Sequence, residues 1–166
     1  MNKVDVNGLT EREFLAEYKP GDYDRPSVTV DMMVLRMKED LSCMQVLLIK
    51  RKAHPEIDKW ALPGGFINIK ESAYEAACRE LKEETGLDVV IEKGFREISE
   101  YCPFGKIRKR VVFFLAQAFT DNVKIQEEEI DSYIWVDLQQ ARKMCSYDND
   151  LRIIEKAETA IHLLRN

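Results

Sequence analysis

Residues 65–87 read Gly-Phe-Ile-Asn-Ile-Lys-Glu-Ser-Ala-Tyr-Glu-Ala-Ala-Cys-Arg-Glu-Leu-Lys-Glu-Glu-Thr-Gly-Leu and contain a helix with both ends marked. Ser72 is a favoured N-cap with Glu75 three residues on, the pattern in which side chains and backbone amides of the first turn satisfy each other. Gly86 supplies the left-handed residue that stops a helix without a Cβ penalty, so the spacing predicts a helix over 73–85. Inside it Glu80, Glu83 and Glu84 stand at i, i+3 and i+4, and their carboxylates leave one face within about a turn of each other. Arg79 and Lys82 offset only part of that repulsion. The face is therefore either a solvated acidic surface or the seat of a cation. Oxygen donors with no His or Cys beside them suit a hard ion. Mg²⁺ (or Mn²⁺), keeping several waters and bridging to substrate phosphates, fits better than a closed calcium cage.

Just upstream, Trp60-Ala61-Leu62-Pro63-Gly64-Gly65 ends an apolar run in a Pro-Gly-Gly turn whose backbone can approach a ligand closely. Before it, 27–35 and 46–49 are β-branched and apolar around a polar stretch, which predicts two strands paired as a hairpin. Thr10 and Glu13 form a second capping box, so a short helix from 11 to about 18 is expected, followed by a linker over 20–26. Beyond Gly86, strands are expected at 87–91, 95–99, 111–119 and 133–136. The run 111–116 is apolar on both faces and should be central in a sheet. Asp137 can cap a helix over 138–144, and 151–164 shows a second amphipathic period after the polar break 146–150. The pattern is mixed α/β, with an N-terminal helix and linker over 1–25 and one domain over 26–166.

The 166 residues are 45% hydrophobic and 33% charged, enough apolar material for a core, and the formal net charge is −5. A net anion is a poor general ligand for nucleic acid or acidic membranes, so neither is an expected partner. The longest apolar run, 111–116, is far too short to span a bilayer, and the first ten residues lack the apolar core of an export signal. Cys43, Cys78, Cys102 and Cys145 stand singly, with only His54 and His162 in the chain, and are expected to be reduced cytoplasmic thiols.

Gly65, Glu71 and the run Arg79-Glu80-Leu81-Lys82-Glu83-Glu84-Thr85-Gly86-Leu87 match the signature of the Nudix hydrolases (MutT-like proteins) at every fixed position. Pro26-Ser27-Val28-Thr29-Val30, Leu47-Leu48-Ile49-Lys50-Arg51 and Tyr133-Ile134-Trp135-Val136 resemble that family's surroundings, so the likeness covers about 26–141. It implies an α/β/α sandwich with a mixed sheet and hydrolysis of a nucleoside diphosphate linked to another group. Glu80 and Glu84 would be metal ligands, with Glu83 a further ligand or the group that orients water and Gly65 offering a carbonyl. Glu71 and Arg79 would hold the loop against the helix and set the carboxylate geometry. The family's general base varies; Glu83 and Glu128 or Glu129 are the candidates.

Substrate is less decided by the residues. Arg51 and the basic run containing Arg108 and Arg110 are expected to clamp phosphates, or else to guard a strand edge, and alternation sends Arg108 and Arg110 to one side. Tyr101 and Phe104 could stack a base or simply pack. Pro103, sixteen residues past the signature, resembles ADP-ribose pyrophosphatases. Tyr101 with the run 106–116 is similar to dinucleoside tetraphosphate hydrolases. A sensor that binds an ADP-ribose-type ligand without cleaving it is the non-enzymatic alternative. It is disfavoured by the intact carboxylates and by the roughly thirty residues after Trp135, too few for a DNA-binding module. A homodimer is expected, with residues 1–18 as an arm packing on the partner.

Overall fold

Apolar alternation along the strands builds one sheet with a helical layer on each face. A computed structural model describes residues 3–17, 27–38, 43–102 and 108–164. In chain order these are α1 (Glu11–Glu17), β1 (Val28–Met37), β2 (Met44–Arg51), β3 (Trp60–Ala61), β4 (Gly64–Phe66), α2 (Ala73–Thr85), β5 (Val89–Tyr101), β6 (Lys109–Ala118), β7 (Ile130–Asp137), α3 (Leu138–Met144) and α4 (Asp148–Leu164).

The strands lie in the order β3-β2-β1-β6-β5, with β4 also pairing β1 and β7 pairing β2. β1 and β6 run parallel and the other pairs antiparallel, which makes the sheet mixed. β1 and β2 form the expected hairpin, Leu35 facing Val46. β6 lies between β1 and β5 and is buried on both faces along 111–116, as its unbroken apolar run requires. On one face Val30, Met32 and Val34 pack with Ala76, Ala77 and Leu81 of α2. On the other Met33 and Leu35 pack with Ile153, Ile154 and Ala157 of α4. The result is the α/β/α sandwich.

The capped elements fall where their signals stand: α2 with a full Ser72–Glu75 capping box and Gly86 at φ 69°, and α3 behind Asp137, whose carboxylate accepts from the Gln140 amide at 2.8 Å. Three expectations are corrected. The strands expected at 87–91 and 95–99 are one strand, β5, because the polar insertion between them is absorbed as a register shift between Ile91 and Arg96. α4 begins at Asp148, inside the expected polar break, since Asp148 and Asp150 in its first turn complement the helix dipole. The Pro-Gly-Gly segment is not a free turn: Gly64 and Gly65 open the short strand β4, paired with β1, and another short strand, β3, ends at Ala61. The expected linker 20–26 lies outside the described residues.

All four cysteines are free. Among the described residues no helix is long and apolar enough to cross a membrane. The N-terminal arm makes contacts within its own chain. His54 Nε2 lies 3.0 Å from the Leu9 carbonyl oxygen, and Lys3 pairs with Asp58. Those arm contacts go to the loop 52–59.

Candidate active site

α2 delivers its acids against the turn at the β4 edge. The Gly64 N–H donates to Glu84 Oε2 at 2.8 Å, and Glu84 is only 5% exposed. A Cβ at Gly64 would stand 2.1 Å from the Val30 carbonyl oxygen, and one at Gly65 would stand 2.3 Å from the Glu80 carboxyl carbon. Gly64 needs glycine for its close approach to the β1 backbone, whereas a Cβ at Gly65 would displace the Glu80 carboxylate.

Arg79 ties the loop, the helix and two of the acids together. Its Nε and Nη2 donate to the two oxygens of Glu71 at 2.8 and 2.9 Å, and Nη2 also donates to the Phe66 carbonyl at 2.9 Å. Nη1 donates to Glu80 at 2.8 Å and to Glu83 at 3.1 Å. Glu71 further accepts from the Asn68 N–H at 3.0 Å. The Arg79 hydrogen bonds, then the Asn68 amide, bring the Glu71 carboxyl down to about 2. This is a fork-to-fork pair with the geometry that favours arginine over lysine.

Glu84, Glu80 and Asp31 shift in the opposite direction. Burial pushes Glu84 up to about 8; the Gly64 amide opposes this, and the charges of Glu80, Asp31 and Glu129 add to it. Burial also raises Glu80, against Arg79 and with Glu83 and Glu129. Asp31 on β1 rises to about 6 through burial, with Lys109 and Arg51 opposing and Glu80 adding. These acids disfavour each other's charge inside a partly enclosed space, the condition a divalent cation relieves. All the donors are hard oxygens, so the set fits Mg²⁺ or Mn²⁺. Among the described residues no three acidic, His or Cys side chains form a ready-made cage. Arg79 holds Glu80 and Glu83, and the Gly64 amide holds Glu84.

A second group gathers beside Asp31. Lys109 pairs with Tyr101 across β5 and β6. It shares a face with Val111 and Phe113, towards α4. Burial lowers Lys109, while Asp31 and Asp150 favour its charge. Asp150, in the first turn of α4, is raised to about 8 by burial and then by Asp31, against the Leu62 amide, Lys109 and Arg51. Burial raises Tyr101 and Tyr147, each of which also feels Arg51. Arg51 Nε is buried with no hydrogen-bond partner among the described residues. Two cations, two tyrosines and the buried Asp150 therefore gather around the half-buried Asp31, and of this group it is Asp31 whose charge acts on Glu84.

Not every expected residue comes to this place. Arg108 and Arg110 lie on the opposite side of the β6 chain from Lys109 and pair with Glu100 at 2.6 and 2.5 Å. Glu128 is exposed in the turn before β7, and it is Glu129 whose charge acts on Glu80 and Glu84. Phe104, with Pro103 and Lys106, lies outside the described residues. Asp31, Asp150 and Tyr147 carried no signal of their own in the sequence. Lys109 stood in a basic run whose inward member only the strand register identifies.

A family model described as the NUDIX domain matches residues 25–156. The chain is 35% identical over 143 residues to an ADPR-responsive transcriptional repressor of Acinetobacter baylyi, covering 84% of this chain and 56% of the repressor. It is 32% identical over 114 residues to the asymmetrical bis(5'-nucleosyl)-tetraphosphatase of mouse, covering 66% of this chain and 76% of that enzyme. Among solved structures, the NUDIX domain of Shewanella oneidensis NrtR complexed with ADP ribose superposes with a TM-score of 0.71 at 27% identity, covering 92% of this chain and 99% of that one.

Proposed function

This chain belongs to the Nudix family, and we propose that it is a metal-dependent pyrophosphohydrolase whose substrate is ADP-ribose or a closely related nucleotide sugar. The observation that carries the reading is the buried Glu84 held by the Gly64 amide, beside Glu80 and Asp31 that share its need for a cation. Glu80, Glu84 and Glu83, with the Gly65 carbonyl, would hold Mg²⁺ or Mn²⁺. The bound ion supplies neutralisation of the diphosphate and acidification of a water. Arg79 positions Glu80 and Glu83 from one side while its fork on Glu71 fixes the loop. Glu83 at the rim or Glu129 on the facing turn would take the proton from the attacking water. Arg51 and Lys109 bind the phosphates, and Tyr101 and Tyr147 give the base a stacking surface. In-line attack at phosphorus then releases AMP and ribose 5-phosphate.

The preference for a diphosphate rests on charge. A longer polyphosphate calls for more cations in the cleft, and the two arginines expected to supply them are occupied by Glu100 instead. The cytoplasmic location, the homodimer and the absence of nucleic-acid or membrane partners belong to the same proposal.

Hydrolysis of ADP-ribose and diadenosine tetraphosphate with Mg²⁺, with products identified, is the test. ADP-ribose should be preferred, and Glu84→Gln should lower kcat on the order of 10²- to 10⁴-fold while the protein stays folded. ATP plus AMP as the dominant products would instead select the tetraphosphatase reading. A second reading, a ligand sensor, is favoured by the similarity to the repressor. Tight ADP-ribose binding without turnover would establish it.

A further inference from the structure

The N-terminal arm ends in a closed turn that presents one carbonyl to the loop joining β2 to β3. The buried Asp5 accepts from the Asn7 and Leu9 amides at 2.9 and 3.0 Å, its own N–H donates to the Leu9 carbonyl at 2.9 Å, and the Gly8 N–H donates back to the Asp5 carbonyl at 3.0 Å. Val4 bridges Thr10 behind this turn. The Leu9 carbonyl then accepts from His54 Nε2 at 3.0 Å. Phe14 of α1 lies beside the imidazole with ring centroids 6.1 Å apart. Lys3 pairs with Asp58, so the arm grips the loop 52–59 at two places. His54 is 7% exposed, and its Nδ1 has no partner among the described residues, so Leu9 fixes the tautomer and orientation of a buried ring.

The other side of that loop reaches the proposed site. The Arg51 N–H donates to the Lys59 carbonyl at 3.0 Å and the Asp58 N–H donates to the Arg51 carbonyl at 2.9 Å, so Arg51 is held from both of its backbone groups. The Lys52 N–H donates to the Glu129 carbonyl at 3.0 Å, and Lys52 Nζ to the Glu127 carbonyl at 2.6 Å. Lys59 Nζ stands 5.9 Å from the centre of the Tyr147 ring. One loop thus joins the arm to Arg51, to the turn carrying Glu129 and to Tyr147.

We infer that the N-terminal arm is an intramolecular strap and His54 a positioning residue, which together set the loop 52–59 and through it the placement of Arg51 for substrate. The effect on substrate rests on the hydrolase reading above; the strap itself does not.

The test uses the full chain and three variants. His54→Leu removes the donor and keeps apolar bulk, Asp5→Ala opens the turn without touching the loop, and His54→Gln offers an amide N–H to Leu9. Amide hydrogen exchange at Arg51, Lys52, Asp58 and Lys59 should quicken about tenfold in the first two and return towards wild type in the third. With Mg²⁺ and ADP-ribose, KM should rise on the order of three- to tenfold in the same two variants while kcat stays within about twofold. Unchanged exchange at these four amides, or exchange raised equally through β1, β6 and α2, would overturn the strap. Quickened exchange with an unchanged KM would overturn the positioning role. A wild-type protein that neither binds nor cleaves ADP-ribose would remove the ADP-ribose reading, and the exchange data would still decide the strap.

Discussion

Lys109→Met takes away the cation that faces Asp31 and Asp150 and keeps most of the side chain's apolar length. With that charge gone, KM for ADP-ribose should rise about tenfold, the loss of one charge-assisted contact to phosphate. Arg108→Ala and Arg110→Ala should each leave KM within about twofold, because an exposed pair with Glu100 contributes little. Steady-state kinetics of the three variants side by side checks this, and the reverse ranking would return the clamp to the arginines. The contrast marks where sequence reading reaches its limit. Alternation places Arg108 and Arg110 together, but it does not say which side of the strand faces the site. That side is set by the parallel register of β6 on β1, with Val28 opposite Arg110 and Thr29 opposite Val111, a contact between segments some eighty residues apart. Asp31 was hidden for a related reason, as one acid inside a strand whose neighbours read as core.

In α2, stability and chemistry separate along the helix. Ser72 at its N-cap serves only the helix start, so Ser72→Ala should cost about 1 kcal/mol in denaturant unfolding and leave kcat within about twofold. Arg79→Lys keeps the charge but cannot reproduce the fork on Glu71 together with the bonds to Glu80 and Glu83. It should lower kcat on the order of 10- to 100-fold, with a smaller loss of stability than of rate. Equal losses in both measurements would mean that Arg79 is a fold residue alone. The helix and its two acid-bearing turns were legible residue by residue because caps, spacing and periodicity are local. The sequence splits β5 into two strands because a register shift is a property of a pair of strands, and only β6 shows that Val89 and Tyr101 belong to one ladder. The two-residue β3 was invisible for the same reason: it exists through its pairing with β2.

At the scale of the whole molecule, the sandwich buries Glu84 and Asp150 and half-buries Asp31, acids that no local rule would have put inside. Glu84 and Asp150 are raised to about 8 and Asp31 to about 6, burial being the first cause in each case. Each binds a proton more tightly in the folded chain than in the unfolded one. Their contribution to stability is full below the ordinary carboxylate range and is lost as pH rises through the folded values. Glu71 is shifted the other way, to about 2, and its contribution falls away only in acid, so it does not flatten the slope between pH 5 and 8. Without metal the melting temperature should therefore fall from pH 5 to pH 8, by an amount equivalent to a few kcal/mol at one pKa unit per 1.36 kcal/mol. A divalent cation binding the ionised acids acts on the folded state alone, so Mg²⁺ should raise Tm at pH 8 far more than at pH 5. Glu84→Gln, which keeps the bond from Gly64 and cannot ionise, should reduce both the metal-free slope and the response to Mg²⁺. Thermal melts at pH 5, 6.5 and 8, in EDTA and in Mg²⁺, decide the matter. A metal-free Tm that is flat or rises across that window would mean that these acids are solvated in the folded chain and that the site has no stored demand for a cation.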